Sequence, residues 1–290
     1  MATAPIQLYD PRVALQFFKA GGKPAAVAQG SKFFGEGEKA QPLLLRRAMM
    51  YLLLDGEVDL VARGKVIGAV RKGEIFGELA PIGNLPRSAA AVAKTPCRVI
   101  ALDDKRFRAA LERKPSFALM LMGVMIRRLR ETIARLRAAD ALRADAAPKE
   151  SAVFDKDRLR DLARGLSDED EIHYNSGKPI VSEGQAGIRM YVVLEGRVAV
   201  MIGGEMVERL GPGGVFGELA LVGESPRLAS VVAETDCDVL PIRRLAFEML
   251  VKTSPDFAAA LLRSLAGRLR ALSARASSPD RAGTPAAARG

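Results

Sequence analysis

The feature that most limits how this 290-residue chain can fold is an internal duplication. Residues 50–130, laid over 190–270 without a gap, are identical at more than a third of positions. Met50-Tyr51 matches Met190-Tyr191, and Phe76-Gly77-Glu78-Leu79-Ala80 matches Phe216-Gly217-Glu218-Leu219-Ala220. Pro86-Arg87 matches Pro226-Arg227, Cys97 matches Cys237, and Pro115 matches Pro255. Solenoid units run to roughly 20–50 residues, so so long a period predicts two duplicated domains. Upstream, Gly30 to Glu36-Gly37-Glu38 resembles Gly177 to Glu183-Gly184-Gln185 only if the first copy holds extra residues. These are placed at Gln41 to Arg47, a loop elongation that costs little chain entropy.

Each copy begins with short runs rich in Val, Ile and Leu, punctuated by glycine. In the first copy they are Met50–Leu54, Val58–Ala62, Val66–Val70 and Val99–Leu102; in the second, Met190–Leu194, Val198–Ile202, Met206–Leu210 and Val239–Ile242. Such spacing predicts strands of an antiparallel barrel or roll. A long helical pattern follows, with Pro115 and Pro255 suited to the first helical position. Met122, Ile126, Leu129, Ile133 and Leu136 recur at four- and three-residue spacing, and Leu262, Leu265, Leu269 and Leu272 do the same. Each set is a seam for a helix of this chain or of a second one, or for its own roll. Residues 138–158 are rich in Ala and charge and are read as the connection. The expected domains are 1–145 and 146–276, with a Ser/Pro/Ala/Gly-rich disordered tail over 277–290.

Composition removes several functions. His173 is the single histidine, too few for a zinc enzyme or a metal-dependent roll enzyme, so no metal is expected. Cys97 and Cys237 form no disulfide framework, and they read as small core residues in a reducing, cytoplasmic setting. No signal peptide is visible, and the longest apolar run, Phe117–Ile126, is too short for a bilayer. The net charge of +10 raises nucleic acid as a partner. However, Arg127-Arg128-Arg130 and Arg268-Arg270 read as solvated helix faces rather than phosphate-backbone contacts. His173 reads as a surface or strand-edge residue.

The chemistry concentrates in Phe216-Gly217-Glu218-Leu219-Ala220, followed by Pro226-Arg227-Leu228-Ala229. A strand ending in Gly and turning into a short helix exposes backbone N–H groups that suit an anion. An arginine fork suits paired phosphate oxygens. An acidic side chain beside that anion needs a neutral hydroxyl to accept from, and a sugar supplies one. The same set recurs as Gly77, Glu78, Leu79, Ala80, Arg87, Ser88 and Ala89.

These residues resemble the phosphate-binding cassette of cyclic-nucleotide-binding domains, and the resemblance runs from about Gly30 to Arg137 and from about Asp170 to Arg275. It implies an α+β, mainly β fold: two tandem β-rolls of double-stranded β-helix type, each flanked by helices and closed by a long C-terminal helix. It implies that Glu78 and Glu218 bind a ribose hydroxyl and that Arg87 and Arg227 bind the cyclic phosphate. It implies no cofactor beyond the ligand itself, cAMP or cGMP. The sequence departs from the pattern at Pro81, which lacks an N–H, and at Leu85. Ser88 offers a hydroxyl after the arginine, whereas Leu228 does not. No aromatic follows Phe257, so a base cap is expected to be aliphatic, from Leu265 or Leu269, or absent.

Too few residues follow Leu272 for a helix-turn-helix, so no DNA-binding domain is expected, and no kinase signature appears. Two tandem sites resemble the regulatory subunit of cAMP-dependent protein kinase. Its inhibitory Arg-Arg-x-small segment has only Arg46-Arg47-Ala48 to match it here, inside the elongated loop. The expected function is a non-enzymatic cyclic-nucleotide receptor that signals to an unknown downstream protein through its long helices, which could also form a homodimer. The alternative is a ligand-free scaffold or dimerisation protein.

Overall fold

The computed structural model describes residues 9–39, 47–142, 148–166, 170–223 and 226–276. The first copy opens with α1 (Pro11–Gly21), β1 (Lys23–Val27) and β2 (Lys32–Phe34). It continues with β3 (Met49–Asp55), β4 (Val58–Ala62), β5 (Lys65–Val70) and β6 (Ile75–Phe76). Then come α2 (Leu79–Gly83), β7 (Ala90–Ala93), β8 (Cys97–Asp103), α3 (Asp104–Arg113) and α4 (Ser116–Ala138). The second copy repeats the order. It has β9 (Glu150–Ser151), α5 (Lys156–Gly165), β10 (Ile172–Tyr174), β11 (Pro179–Val181), β12 (Arg189–Glu195) and β13 (Val198–Ile202). It ends with β14 (Glu205–Leu210), β15 (Val215–Phe216), α6 (Glu218–Gly223), β16 (Ser230–Ala233), β17 (Cys237–Arg243), α7 (Arg244–Thr253) and α8 (Pro255–Ala276).

Each copy is a roll of two sheets. In the first the orders are β1-β8-β3-β6 and β2-β7-β4-β5; in the second they are β10-β17-β12-β15 and β11-β16-β13-β14. Neither is a closed barrel. All of these pairings are antiparallel, and β9 alone adds a parallel pair, Arg209 with Glu150 and Leu210 with Ser151. The eight expected strands all form, most of them one to three residues longer than read. Pro255 opens α8, while Pro115 stands one position before α4 in helical geometry. Asp10, Asp103 and Asp155 cap α1, α3 and α5 by accepting backbone N–H bonds, the usual remedy for the orphan donors of a first turn. The elongated loop Gln41–Arg47, the domain boundary at 145/146 and the 277–290 tail fall largely or wholly outside the described residues. From β2 to β3 the first copy is seven residues longer than the second is from β11 to β12.

The interior of each roll is a small apolar cluster: Leu53, Val58, Phe76, Ala93, Cys97 and Val99 in one, and Val193, Val198, Phe216, Ala233, Cys237 and Val239 in the other. Both cysteines are free thiols in these cores, as expected. A third and larger core lies between the copies, where α1, α4, α7 and α8 meet the outer faces of the β3 and β12 sheets. There Phe17 stacks on Phe117 with ring centroids 3.6 Å apart.

The two long helices resolve the question of the seams. Met122, Ile126, Leu129, Ile133 and Leu136 are all buried, as are Leu262, Leu265, Leu269 and Leu272. α4 and α8 pack on each other within one chain. Each also crosses over: α8 lies against α2 of the first copy and α4 against α6 of the second. The surface read as available for a homodimer is therefore occupied intramolecularly.

Candidate functional site

Gly217 ends β15 with φ 84°, a conformation that favours glycine, and turns the chain into α6. Arg227 reaches back under this turn. Its Nη1 donates to Gly217 O at 2.7 Å and its Nη2 to Arg189 O at 2.7 Å, which fixes the guanidinium facing inward with the residue only 8% exposed. Gly187 lies so close that an added Cβ would sit 2.1 Å from Arg227 Nε. Burial lowers the pKa of this guanidinium, but an arginine keeps its charge with a wide margin.

In front of Arg227 is a cavity of about 530 Å³. Gly217, Glu218, Leu219, Ala220, Arg227, Leu228 and Ala229, all seven second-copy residues read from the sequence, line it. Val181, Val200, Ile202 and Val231 of the roll supply an apolar wall. Leu129 and Ile133, which belong to the helix of the first copy, supply another part of it. The second cavity is thus completed by both halves of the duplication.

Glu218 is 2% exposed. Its Oε1 accepts from Arg268 Nη1 at 2.5 Å, while Arg268 also donates to Glu208 Oε2 at 2.8 Å and to Val215 O. Glu218 Oε2 is buried with no hydrogen-bond partner among the described residues. Burial pushes the Glu218 carboxyl upward, against the pull of Arg268. Burial opposes the charge on Arg268 too, but the two carboxylates outweigh it and raise its pKa. An unsatisfied buried acceptor costs about 1–3 kcal/mol, so this oxygen is a place where a hydroxyl donor would be gained.

The first copy repeats the scaffold. Arg87 donates to Gly77 O at 2.6 Å and to Met49 O at 2.7 Å, and is 7% exposed. Glu78 accepts from Arg128, whose Nη2 donates to Ile75 O at 2.9 Å. Ala80 and Ala89 are buried, Gly77 and Leu79 half-buried, and Ser88 exposed. Pro81 is buried inside α2, which is one residue shorter than α6. The space before Arg87 is different: the Phe34 ring centroid lies 3.8 Å from its Cζ.

Two expectations are overturned. Arg127 is exposed as expected, but the other arginines of these segments do not form solvated faces. Arg128 and Arg268 enter the cassettes, and Arg130 and Arg270 donate to Pro226 O and Pro86 O, each on the opposite copy. The signal that could have found them is the repeat itself, because Arg128/Arg268 and Arg130/Arg270 are identical pairs in register. The expected cap residues Leu265 and Leu269 are spent in the helix–helix core, and Gly267, Arg268, Ala271 and Leu272 face the cavity instead. His173 stands where it was expected, on β10, with Nδ1 2.8 Å from Asp238 Oδ1. Among the described residues no helix is long and apolar enough to cross a membrane.

The family profile described as "Cyclic nucleotide-binding domain" matches residues 46–114 and 171–254, more than half of the chain. The chain belongs to the cyclic nucleotide-binding domain family. It is a tandem member with two such domains. It is 29% identical over 226 residues to a "cAMP-dependent protein kinase regulatory subunit" of Eremothecium gossypii, covering 78% of this chain and 43% of that protein. A protein of the same description from Colletotrichum orbiculare is 30% identical over 192 residues, covering 65% and 43%. The chain spans less than half the length of these curated relatives. Among solved structures, the regulatory domain of Toxoplasma gondii PKA with cAMP is 24% identical, covers 86% of this chain and 88% of that one, and has a TM-score of 0.30.

Proposed function

We propose that this chain is a non-enzymatic receptor for a cyclic mononucleotide, cAMP in preference to cGMP, and that its second domain holds the ligand. The observation that carries the reading is the second-copy cavity. It brings an inward, carbonyl-braced guanidinium to the wall of one apolar pocket. Glu218 also lines this pocket, and its carboxylate keeps one buried oxygen without a partner among the described residues. Arg227 would pair with the ring phosphate. Glu218 Oε2 would accept from the ribose hydroxyl, and Val200, Ile202 and Leu272 would cover the base. Leu228 offers a guanine amino group no hydroxyl, which supports adenine. Two relatives described as cAMP-dependent regulatory subunits support the same class of role.

Ligand entry would load the second oxygen of the carboxylate that Arg268 of α8 already holds, and so bias the position of α8. That is a population shift driven by unequal affinity for two helix positions. Isothermal titration of cAMP and of cGMP into the wild type and into Arg227→Ala tests this. Removing the buried partner of the phosphate should weaken binding by about 2–5 kcal/mol. Equal heats in the two proteins would sink the assignment, and absence of heat with every cyclic mononucleotide would favour a ligand-free scaffold.

A further inference from the structure

The two roll interiors correspond position by position, from Val58 and Val198 at one end to Val99 and Val239 at the other. Leu53 and Val70 exchange only one aliphatic for another, against Val193 and Leu210, and a single facing pair brings in an aromatic ring. In the first copy Phe34 on β2 opposes Ala91 on β7; in the second, Val181 on β11 opposes Val231 on β16. Both valines line the second cavity. The first copy has moved most of that pair's volume into one ring on one strand. The ring lies over the Arg87 guanidinium at 3.8 Å, and a Cβ built on Gly77 would sit 2.7 Å from Phe34 Cε1. It therefore packs against both the arginine and the first glycine of the cassette. In the second copy a Cβ on Gly217 would meet Arg227, Arg189 and Met190 as its three nearest residues, none of them on β11.

We infer that Phe34 occupies the first copy's nucleotide site from within, so that the chain takes one cyclic nucleotide and Phe34 is the residue that decides it. This rests on the receptor reading of the second copy. An aromatic face gives a buried guanidinium an electron-rich neighbour in place of an anion, so Arg87 is satisfied with no ligand. A phosphate cannot share that space with the ring.

The test is calorimetric stoichiometry with cAMP. The wild type should bind one equivalent. Arg227→Ala should bind none, although Arg87 is intact. Phe34→Val should bind two, and Phe34→Val/Arg87→Ala should return to one. Phe34→Val/Ala91→Val rebuilds the pair found in the second copy and guards against a collapsed hole in the single variant; circular dichroism melts establish that each protein is folded. A stoichiometry of two in the wild type, or of one in both folded opened variants, overturns the role of Phe34 and leaves the second site standing. Absence of heat from the wild type and the opened variants alike overturns the receptor reading itself.

Discussion

Arg87 and Arg227 make the same two carbonyl bonds at nearly the same distances, yet an aromatic ring stands before one and a cavity of about 530 Å³ before the other. In both copies the cassette arginine has a structural task separate from any ligand. It ties the turn after β6 or β15 to the start of β3 or β12, and that task alone suffices to hold it in place. The glutamates are held alike, Glu78 by Arg128 and Glu218 by Arg268. The same cassette arginine thus stands against an aromatic ring in one copy and a cavity in the other.

The comparison can be broken at several points. The largest effect is expected from Arg268→Ala set against Arg128→Ala. The Arg268 side chain is 14% exposed and serves two carboxylates, so its loss leaves buried charge uncompensated and should cost about 3–5 kcal/mol of ligand-free stability. The Arg128 side chain is 32% exposed and serves the one buried carboxylate of Glu78, so its loss should cost less, about 1.5–3 kcal/mol. Denaturant unfolding of both measures the gap, and equal losses would mean the two cassettes are braced alike. Next, Arg87→Ala should lower stability by about 2 kcal/mol, through its two carbonyl bonds and the Phe34 contact, while leaving cAMP affinity within about twofold. A large loss of affinity would return the first copy to the status of a binding site.

Gly187→Ala should weaken cAMP binding about tenfold, or ~1.4 kcal/mol, because the new methyl would displace the Arg227 guanidinium. Arg47→Ala, two residues before β3 as Gly187 is two before β12, should leave affinity unchanged. The smallest effect concerns His173, whose pKa the Asp238 carboxylate raises. A raised folded-state pKa contributes stability that is present in full below the unfolded value near 6.5 and fades as pH rises through the folded value. His173→Gln should therefore lower the urea midpoint slightly at pH 5.5 and not at pH 8.5; a loss confined to alkaline pH would contradict this.

Strand positions, the two copies and the Glu–Arg pairs were legible because each rests on local periodicity or on the repeat. The partner of the helix seams was not. Leu129 and Leu269 have the same spacing whether they face a roll, a second chain or each other, and only tertiary docking selects. Arg128 and Arg268 were misread because a cation on an amphipathic helix looks solvated until the carboxylate it meets, fifty residues earlier, is placed beside it. Phe34 was invisible for a related reason. It is one apolar residue in a strand of three, and its reach to Arg87 depends on the register with β7, which no local pattern encodes.

The crossed contacts of α4 and α8 have a consequence for dose response. Because both helices are on one polypeptide, with Arg130 on Pro226 and Arg270 on Pro86, their union cannot dilute apart. A sensor assembled from two chains would change its threshold with its own abundance. The contact between these two helices keeps the same effective concentration whatever the abundance of the protein.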